Sequence, residues 1–496
     1  MNTAPTSPVS LSYAAALRGV KPRRPGENFT YADVACTDSD LLTCLAASNP
    51  EGRFFGLVAD DAARTKAEEQ ARQRDVKNVT FVAGSPRNLA AQLDANPNLV
   101  PILDYLVCDE SVTALAPLER NAVFAIAEKN LKPGGLFNYK YRAYDRDDDA
   151  LRFVIREFAP EMDGSQAVEF LGELKKLGSD FLAKHSDVAA KLDACIAQKT
   201  PDDFFSIYES GESRSATFNT LVALNPRGMI YAGDSDLPSN YLELSVPPQA
   251  QDVILKCRTN PLYESVKDYA LNRPVRSDIW CRGPVPQATE ISDLFGGFTY
   301  GITRSREDVP ASVTVQGKTI DLSSQLYVKL VDLLTLMPAS VGDFLAHPDG
   351  KGYAPLEVVG AMQILVALGI AQPMRGLHEV TNISSASQPR LVGGFNQHLD
   401  KTAVTGRLWL ASPVAGGAML ISARDALVMQ ALGRGGLVNS VSALMPELQR
   451  LAKNPAQAAA VMDVAEPTPE VARSMIEDVV TKSLVQWYAY GLLEAA

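Results

Sequence analysis

The sequence predicts an α/β protein whose first domain is a doubly wound, mainly parallel sheet, followed by regions that are mostly helical. Between Phe29 and Tyr144, short apolar runs alternate with amphipathic stretches, which is typical of strands joined by crossover helices. The last of these helices stops at Lys132-Pro-Gly-Gly135, where proline cannot continue it and glycine permits a left-handed turn. A sheet of this kind binds ligands at the carboxyl ends of its strands.

The alternation assigns strands and helices to this domain in turn. The predicted strands are Tyr31–Val34, Phe54–Val58, Val79–Ala83, Tyr105–Val107 and Leu136–Tyr141. The predicted helices are Leu41–Ala47, Ala62–Gln73, Leu89–Leu93 and Leu118–Asn130. Their order predicts a Rossmann-like domain.

A chain of 496 residues is too long for one compact core, so several domains are expected. After residue 146, apolar residues recur at three- and four-residue steps, and 312–321 alternates as a hairpin before three helical stretches. The predicted parts are a flexible leader (1–28), the Rossmann-like domain (29–146), a mostly helical domain (147–290), a linker (291–310), a winged-helix-like module (311–375) and a helix-rich C-terminal region (376–496).

The composition argues against several classes of partner and location. Lys and Arg total 47 against 58 Asp and Glu, and a net charge of −11 argues against binding to nucleic acid. No apolar run approaches the roughly 18 residues of a membrane span, and the first residues lack a signal-peptide pattern, so we expect a cytoplasmic protein. The six cysteines lack C-x-x-C spacing, which favours buried free thiols over a metal site or disulfides.

Several sequence blocks together resemble one family of bacterial enzymes. The blocks are Leu45-Ala-Ala-Ser-Asn-Pro-Glu-Gly-Arg-Phe-Phe-Gly56, Asp104-Tyr-Leu-Val-Cys108, Asn130-Leu-Lys-Pro-Gly-Gly-Leu136, Gly228-Met-Ile-Tyr-Ala-Gly-Asp-Ser-Asp-Leu237 and Asn272-Arg-Pro-Val-Arg-Ser-Asp-Ile-Trp-Cys-Arg282. They resemble class I S-adenosylmethionine-dependent methyltransferases that carry a methyltransferase regulatory domain, a group that includes the rickettsial outer-membrane-protein lysine methyltransferases. The resemblance implies that 29–146 is the methyltransferase domain and 147–290 the regulatory domain.

The resemblance also places a cofactor loop after the first strand, and this sequence departs from the family there. The family has an acid followed by three alternate glycines, whereas Asp33 is followed by Ala35, Thr37 and Ser39. A branched residue such as Thr37 resists the left-handed conformation that glycine allows, so we expect a loop of different shape. The resemblance implies that Asp33, Ala35 and Thr37 bind the cofactor.

A second interpretation of this loop is a helix cap. Thr37-Asp-Ser-Asp40 precedes an apolar stretch, and such side-chain oxygens satisfy the free backbone N–H groups of a helix start. On this stretch alone the cap is the stronger interpretation. Asp38 and Asp40 would also repel a cofactor carboxylate from the helix N-terminus, which normally attracts anions.

Two further cofactor positions follow from the resemblance. The family has a ribose-binding acid at the end of the second strand, where Val58 stands in this chain, and Asp60 and Asp61 follow two and three residues later. Asp60 is therefore the predicted ribose ligand of a rearranged loop. Ser85, in the turn after the third strand, matches a family position near the adenine.

The predicted acceptor side is formed by residues after the fourth and fifth strands. Asp109 and Glu110 stand where the family has a histidine and aromatic run, and either could serve as a base or hold the acceptor ammonium. Asp109 is also a predicted cofactor-binding residue, beside the methyl region. A solvated loop is the alternative for both residues. Tyr141 and Tyr144 match a family Tyr-Asn-x-Tyr block and are predicted to line the acceptor channel, with plain packing as the alternative.

Three functions follow. The first is an S-adenosylmethionine-dependent methyltransferase that acts on protein lysines through an altered cofactor loop. The second is a catalytically inactive pseudo-methyltransferase that serves as an interaction or regulatory subunit, either as a homo-oligomer or paired with an active relative. The combined loss of the glycines, the ribose acid and the histidine and aromatic run favours the second. The third is a cleft that binds some other small molecule with a cationic group, which five acids would attract: Asp33, Asp38, Asp40, Asp60 and Asp61.

Overall fold

The structure is a computed structural model, and it describes most of the chain. The described residues are 2–23, 26–96, 99–108, 117–142, 164–177, 180–198, 217–256, 258, 263–271, 273, 275–376, 388–454, 458, 461–462 and 466–495. In chain order the strands are β1 (Asn2–Thr3), β2 (Phe29–Asp33), β3 (Gly52–Val58), β4 (Val79–Ala83), β5 (Leu103–Cys108), β6 (Leu131–Arg142), β7 (Met229–Asp234), β8 (Val275–Arg282), β9 (Thr299–Ile302), β10 (Ser312–Val315), β11 (Lys318–Asp321), β12 (Ala339–Ser340), β13 (Ala371–Met374), β14 (Pro389–Leu391), β15 (Leu408–Ser412), β16 (Gly417–Ile421) and β17 (Leu493–Ala495).

The helices of the described residues run from the first residues to the C-terminus. In chain order they are α1 (Pro8–Ala16), α2 (Ser39–Ser48), α3 (Asp61–Gln73), α4 (Pro86–Ala95), α5 (Pro117–Asn130), α6 (Gly164–Lys176), α7 (Asp180–Lys184), α8 (Ser186–Gln198), α9 (Thr217–Leu224), α10 (Leu242–Ser245), α11 (Pro248–Leu255), α12 (Tyr263–Leu271), α13 (Ile291–Phe295), α14 (Gln325–Leu336), α15 (Val341–Ala346), α16 (Pro355–Ala367), α17 (Gly393–Gln397), α18 (Ala423–Leu451, kinked at Gly436), α19 (Pro469–Lys482) and α20 (Leu484–Ala489).

The central sheet confirms the predicted α/β fold. Its strand order is β4-β3-β2-β5-β6-β8-β7. Strands β2 to β6 are mutually parallel, and β8 runs antiparallel to both of its neighbours. The five strands and four helices predicted between Phe29 and Tyr144 are all present, with ends that differ by a few residues. The sheet is therefore Rossmann-like, and β7 and β8 extend it from a segment predicted to be helical.

Both faces of this sheet are buried, as expected when helices cover a parallel sheet on each side. Consecutive strand residues point to opposite faces, so Phe54 packs with Tyr31 and Tyr105 while Phe55 packs with the core beneath α4 and α5. The Tyr31 and Phe54 rings lie 5.0 Å apart. Aromatic contacts of this kind add to the apolar area that the sheet buries.

Residues 2–16 do not form the predicted flexible leader. β1 pairs with β16 near the other end of the chain, and most of α1 is buried. Leu11 and Tyr13 are both fully buried. The prediction was wrong because α1 is apolar on all sides, so it shows no amphipathic pattern and gains stability only from long-range packing.

Residues 291–310 do not form the predicted linker either. They contain α13 and β9, and β9 is the central strand of a three-stranded sheet with β12 and β13. Tyr300 on β9 is fully buried. The glycine and proline signals mark turns between short elements in this segment, rather than an extended connection.

The region after residue 310 follows the sequence prediction closely. β10 and β11 form the predicted hairpin, whose turn residues Gln316 and Gly317 have φ of 50° and 79°. The three predicted helices are α14, α15 and α16. The likeness of this module to a winged helix stays a prediction.

The C-terminal region is helix-rich as predicted, and it also contains strands. β15 and β16 pair across the turn Ser412-Pro-Val-Ala-Gly-Gly417, and β14 pairs with β17. The β15–β16 hairpin packs on α2 of the first domain: Ser48 Oγ donates to the Gly417 carbonyl at 3.0 Å, and Asn49 Nδ2 to the Gly416 carbonyl at 3.2 Å. The C-terminal region is thus bonded directly to helix α2 of the Rossmann-like domain.

Two expectations from the composition concern thiols and membrane spans. The described cysteines are buried thiols, as predicted, and form no disulfide with one another: Cys36, Cys44, Cys108, Cys195 and Cys281. Cys257 lies outside the described residues. Within the described parts of the chain, no helix has both the length and the apolar character needed to cross a bilayer.

Gly56 provides a test of how closely α2 packs on the sheet. A Cβ at this position would lie 2.6 Å from Leu42 Cδ2 and 2.9 Å from Phe81 Cδ1. We expect Gly56→Ala to lower stability by about 1–3 kcal/mol through overpacking, seen as a lower midpoint in thermal unfolding. The control is Gly360→Ala in α16, where a Cβ meets no atom within 4 Å and the midpoint should stay or rise. Equal midpoints for the two variants would contradict close packing at Gly56.

Candidate functional site

The candidate site lies at the carboxyl edge of the parallel strands. The chain passes from β2 to β3 and β4 on one side and then to β5 and β6 on the other, so the strand order reverses beside β2. Ligands of doubly wound sheets bind in the crevice at such a reversal. The predicted residues Asp109, Glu110 and Tyr144 follow β5 and β6 in sequence but lie outside the described residues. Their roles stay predictions.

The loop after β2 is bonded tightly to the sheet. Asp33 ends β2, and its Oδ1 accepts the Ala35 N–H at 3.0 Å. The Val34 N–H donates to the Val107 carbonyl on β5 and the Cys36 N–H to the Leu57 carbonyl on β3, both at 3.0 Å. These N–H groups are therefore already used within the protein.

The same loop ends in a helix cap, which confirms that interpretation of the sequence. Asp38 Oδ1 accepts the Leu41 N–H at 2.9 Å and begins α2. No residue from Asp33 to Asp40 has a left-handed φ. Ala35 and Thr37 thus adopt backbone conformations that are ordinary for residues with a Cβ.

The loops after β3 and β4 end in the same way. The exposed Asp60 begins α3, and its Oδ1 accepts the Ala63 N–H at 2.7 Å. Ser85 begins α4, accepts the Asn88 N–H at 3.3 Å, and donates to Glu119 Oε1 at 3.1 Å. The three predicted loops therefore meet at one edge, each with a polar side chain that caps the following helix.

A small apolar gap of about 10 Å³ lies in the core between β2, β3 and helices α4 and α5. Leu57, Val82 and Leu89 line it, and Asp33 is the charged residue among the described residues of its wall. A gap of this volume holds no more than about one water molecule, so a flat ligand group would need the surrounding side chains to move.

On the other side of the edge lies a buried group of charged residues, which we call the Arg276 cluster. Its members are Tyr141, Tyr231, Asp234, Glu264, Asp268, Arg273, Arg276 and Asp278. The Arg276 side chain is fully buried. It donates to Asp278 at 2.8 Å, to Asp268 at 2.7 Å, to Tyr231 at 2.9 Å and to Glu264 at 3.2 Å.

The cluster lies beside the carboxyl end of β6 because β8 begins there. Tyr141 of β6 is paired with Arg276 of β8, and Asp234 at the end of β7 is paired with Asp278. A second Arg–Asp pair joins the segment before β8 to β7: Arg273 lies 2.8 Å from Asp234. Opposite charges thus compensate one another inside the protein, as buried charges require.

Tyr141 is a member of this cluster. Its hydroxyl donates to Asp278 Oδ2 at 2.7 Å, and its ring stacks on Tyr139 at 5.0 Å. Burial and the neighbouring Asp278 carboxylate raise the pKa of the Tyr141 phenol, so it remains protonated as a donor. Its side chain is fully buried. The predicted role in an acceptor channel stays a prediction.

Burial also changes the pKa values of the acids in the cluster. It raises the pKa of Asp278 to about 7, against the opposing effect of Arg276. Burial likewise raises the pKa of Asp234, although Arg273 and Arg276 oppose it. Strongly shifted pKa values are common both at functional positions and in structural ion-pair networks.

The spacing of charged residues in the sequence indicates this cluster. Arg276 and Asp278 are two residues apart on a strand, so both side chains point to one face. Charged residues at such a spacing, next to the apolar run Ile279-Trp280-Cys281, indicate an ion pair inside a sheet. The blocks at 228–237 and 272–282 carry the family resemblance, but that resemblance predicts no role for their charged residues.

Comparison with known proteins agrees with this arrangement. Residues 215–282 match a family model described as "predicted methyltransferase regulatory domain". That range contains β7, β8 and every member of the Arg276 cluster except Tyr141. The match confirms the resemblance that the sequence blocks indicated.

One curated relative is the "uncharacterized protein RP789" of Rickettsia prowazekii (strain Madrid E). It is 20% identical over 285 residues, which cover 56% of this chain and 50% of that protein. This chain thus aligns with only about half the length of that relative.

Two solved structures of PKMT2 from Rickettsia typhi share the fold of the whole chain. One has a TM-score of 0.64 at 16% identity and covers 98% of both chains. The other, in complex with AdoHcy, has a TM-score of 0.66 at 15% identity and covers 99% of this chain and 98% of that chain. The chain is therefore methyltransferase-like in fold from end to end.

Removing the Arg276 charge should destabilise the fold strongly. Arg276→Met leaves several buried acids without their partner, which typically costs about 3–5 kcal/mol. We expect a much lower urea midpoint, followed by fluorescence of the buried Trp280. The control is Arg306→Ala, whose exposed pair with Asp332 should be worth less than about 1 kcal/mol. Similar losses in both variants would contradict a stabilising role specific to the cluster.

Asp278 should make stability depend on pH. Because its folded pKa of about 7 lies above the unfolded value of about 3.9, its contribution is fully present below about pH 4 and is lost as pH rises through 7. We expect Asp278→Asn to reduce the fall in unfolding free energy between about pH 4 and 8, measured by urea titrations.

The matched control for this pH dependence is Asp321→Asn. Hydrogen bonds from Ser323 lower the pKa of the exposed Asp321 carboxyl, so its contribution is present above the unfolded pKa and is lost as pH falls. Its effect should therefore be confined to acid pH. An unchanged slope between about pH 4 and 8 in Asp278→Asn would refute the assignment.

Proposed function

We propose that this chain is an S-adenosylmethionine-dependent methyltransferase that acts on lysine side chains of proteins. The observation that carries the proposal is the end-to-end fold likeness to PKMT2, one of whose structures is a complex with AdoHcy. The matched regulatory domain supports it, because that region contributes β7 and β8 to the same central sheet. The lysine acceptor follows from the sequence resemblance.

The residues at the edge fit the nucleoside and sulfonium parts of this cofactor. Ser85, at the start of α4, stands at the family position near the adenine, and the neighbouring apolar side chains Val82 and Leu89 would have to move to admit the ring. The exposed Asp60 carboxylate keeps acceptor capacity for ribose hydroxyls beyond its bond to Ala63. The Asp33 carboxylate places negative charge at the carboxyl end of β2, where it would attract a cation.

The loop fits the amino-acid part of the cofactor less well. A carboxylate is usually held by free backbone N–H groups at a helix start. In this loop the N–H groups of Ala35, Cys36 and Leu41 already have acceptors. The cofactor carboxylate would therefore need a donor from elsewhere, and Asp33 would instead hold the ammonium group.

In the proposed reaction the cofactor, when bound, supplies a methyl group on a positively charged sulfur. The protein must align a neutral lysine amine with that methyl group and exclude water, which accounts for most of the acceleration in such transfers. Asp109 and Glu110, which follow β5 directly in sequence, are the proposed acceptors of the lysine proton. Tyr141 and Tyr144 are the proposed walls of the acceptor channel.

A second function is favoured by one observation, the three capped loops. The side chains of Asp38, Asp60 and Ser85 each accept a backbone N–H at the start of the following helix, so this edge is stable without a ligand. A protein that uses the fold only to hold a partner needs no more than this. We therefore keep a non-catalytic interaction subunit as the alternative to methyl transfer.

Isothermal titration calorimetry of the whole chain with S-adenosylmethionine and S-adenosylhomocysteine separates the two functions. We expect micromolar binding of both ligands, and tenfold or greater weakening in Asp33→Asn and Asp60→Asn. Asparagine still caps a helix, so Asp60→Asn removes the charge but keeps the start of α3. Asp61→Asn is the control, because this exposed acid only pairs with Arg64 at 2.8 Å.

Methyl transfer is measured separately, as labelled methyl groups on lysines of lysate proteins. Binding together with lysine labelling supports the proposed enzyme. Absence of heat at millimolar ligand, together with absence of labelling, would exclude it and leave the interaction subunit.

A further inference from the structure

A second cavity lies outside the predicted cofactor cleft, between the first domain and the C-terminal region. Its volume is about 270 Å³, near the lower end of small-molecule sites. The first domain contributes Asp38 and Asp40 at the start of α2 and Arg74 after α3, and the C-terminal region contributes His398, Arg407 and Trp409. Two polar walls that are distant in sequence therefore face one space.

The acidic groups of this cavity are already engaged. Both carboxylate oxygens of Asp40 accept bonds from Arg74, at 3.0 and 3.3 Å. Asp38 accepts the Leu41 N–H through one oxygen and the Trp409 indole N–H, at 3.4 Å, through the other. A ligand would thus find few free acceptors in this space.

One donor of the cavity, the Arg407 guanidinium, is in the opposite state. Arg407 lines the cavity with an exposed guanidinium, and no acceptor contacts it among the described residues. A guanidinium offers five N–H groups in a planar fork that suits a carboxylate or phosphate. Burial, together with the positive charges of Arg74 and Lys401, lowers the pKa of His398, which indicates a positive environment. The free hydrogen-bonding capacity of the cavity therefore suits an anion.

The remaining wall is apolar and aromatic. Arg74 lies over the ring of Phe395 at 4.9 Å, so that ring already has a cation on its face. Trp409 is only partly buried, and Leu399 and Leu408 lie beside it in the wall. These side chains offer contact surface for a flat apolar group.

We propose that this cavity binds a small anion, a carboxylate or a phosphate, carried on a flat apolar body. Arg407 pairs with the anionic group, and Trp409 contacts the body of the ligand. The cavity is separate from the predicted cofactor residues Asp33, Asp60 and Ser85, none of which lines it, although Asp38 joins it to the end of the cofactor loop.

Calorimetry of the full chain with simple probes tests both the site and its ligand class. Phenyl phosphate and benzoate represent the two anion types, phenol lacks the anion, inorganic phosphate lacks the ring, and benzylamine carries the opposite charge. We expect phenyl phosphate or benzoate to bind at least tenfold more tightly than the other three probes. Which of the two binds better distinguishes a phosphate from a carboxylate ligand. Tighter binding of benzylamine, or no binding of either anionic probe at about 10 mM, the practical ceiling for a weak site, would overturn the proposal.

Variants of the cavity wall show which side chains bind the probe. Arg407→Ala should weaken the better anionic probe at least tenfold, because a charge-assisted hydrogen bond is lost. Arg407→Lys should weaken it less, since the charge remains. Trp409→Leu should weaken it by removing the flat surface. The matched control is the exposed Arg390→Ala of the same region, and Asp33→Asn marks the other cleft.

Two outcomes would exclude binding in this cavity. Arg407 is exposed, so Arg407→Ala should keep the wild-type thermal midpoint, and its binding constant can then be compared directly. Unchanged affinity in Arg407→Ala, or a loss in Asp33→Asn as large as that in Arg407→Ala, would place the probe elsewhere.

Discussion

Helix α2 is packed between two sheets, and the candidate site depends on this double constraint. On its inner side Leu42 lies so close to Gly56 of β3 that a Cβ there would overlap it. On its outer side Ser48 is bonded to the carbonyl of Gly417 in the C-terminal hairpin. Because α2 cannot shift without losing one of these contacts, the loop that ends at Asp38 is held in one shape.

Asp38 consequently belongs to two features of the molecule. It caps α2 at the end of the candidate cofactor loop, and it accepts the indole N–H of Trp409 in the wall of the second cavity. The C-terminal region is therefore in contact with the loop that a cofactor would meet. A ligand in the cavity would touch the residue that shapes this loop.

The Arg276 cluster gives the matched regulatory region a physical role in the first domain. That region supplies β7 and β8 to the central sheet, and Tyr141 of β6 is bonded to Asp278 of β8. Pattern analysis predicted the five parallel strands because their apolar runs are continuous. It did not predict β7 and β8, because Asp234, Arg276 and Asp278 resemble surface residues until their partners are known.

The sequence itself determined those features that depend on residues close together in the chain. They include the order of strands and helices in the first domain and the cap at Asp38, whose acceptor and donor are three positions apart. Only the tertiary structure decided that α1 is buried, that Arg276 is compensated, and that Trp409 meets Asp38 across 371 positions. Local patterns report backbone preferences and short-range hydrogen bonds, whereas burial of a charge or a small helix depends on which distant surfaces come together.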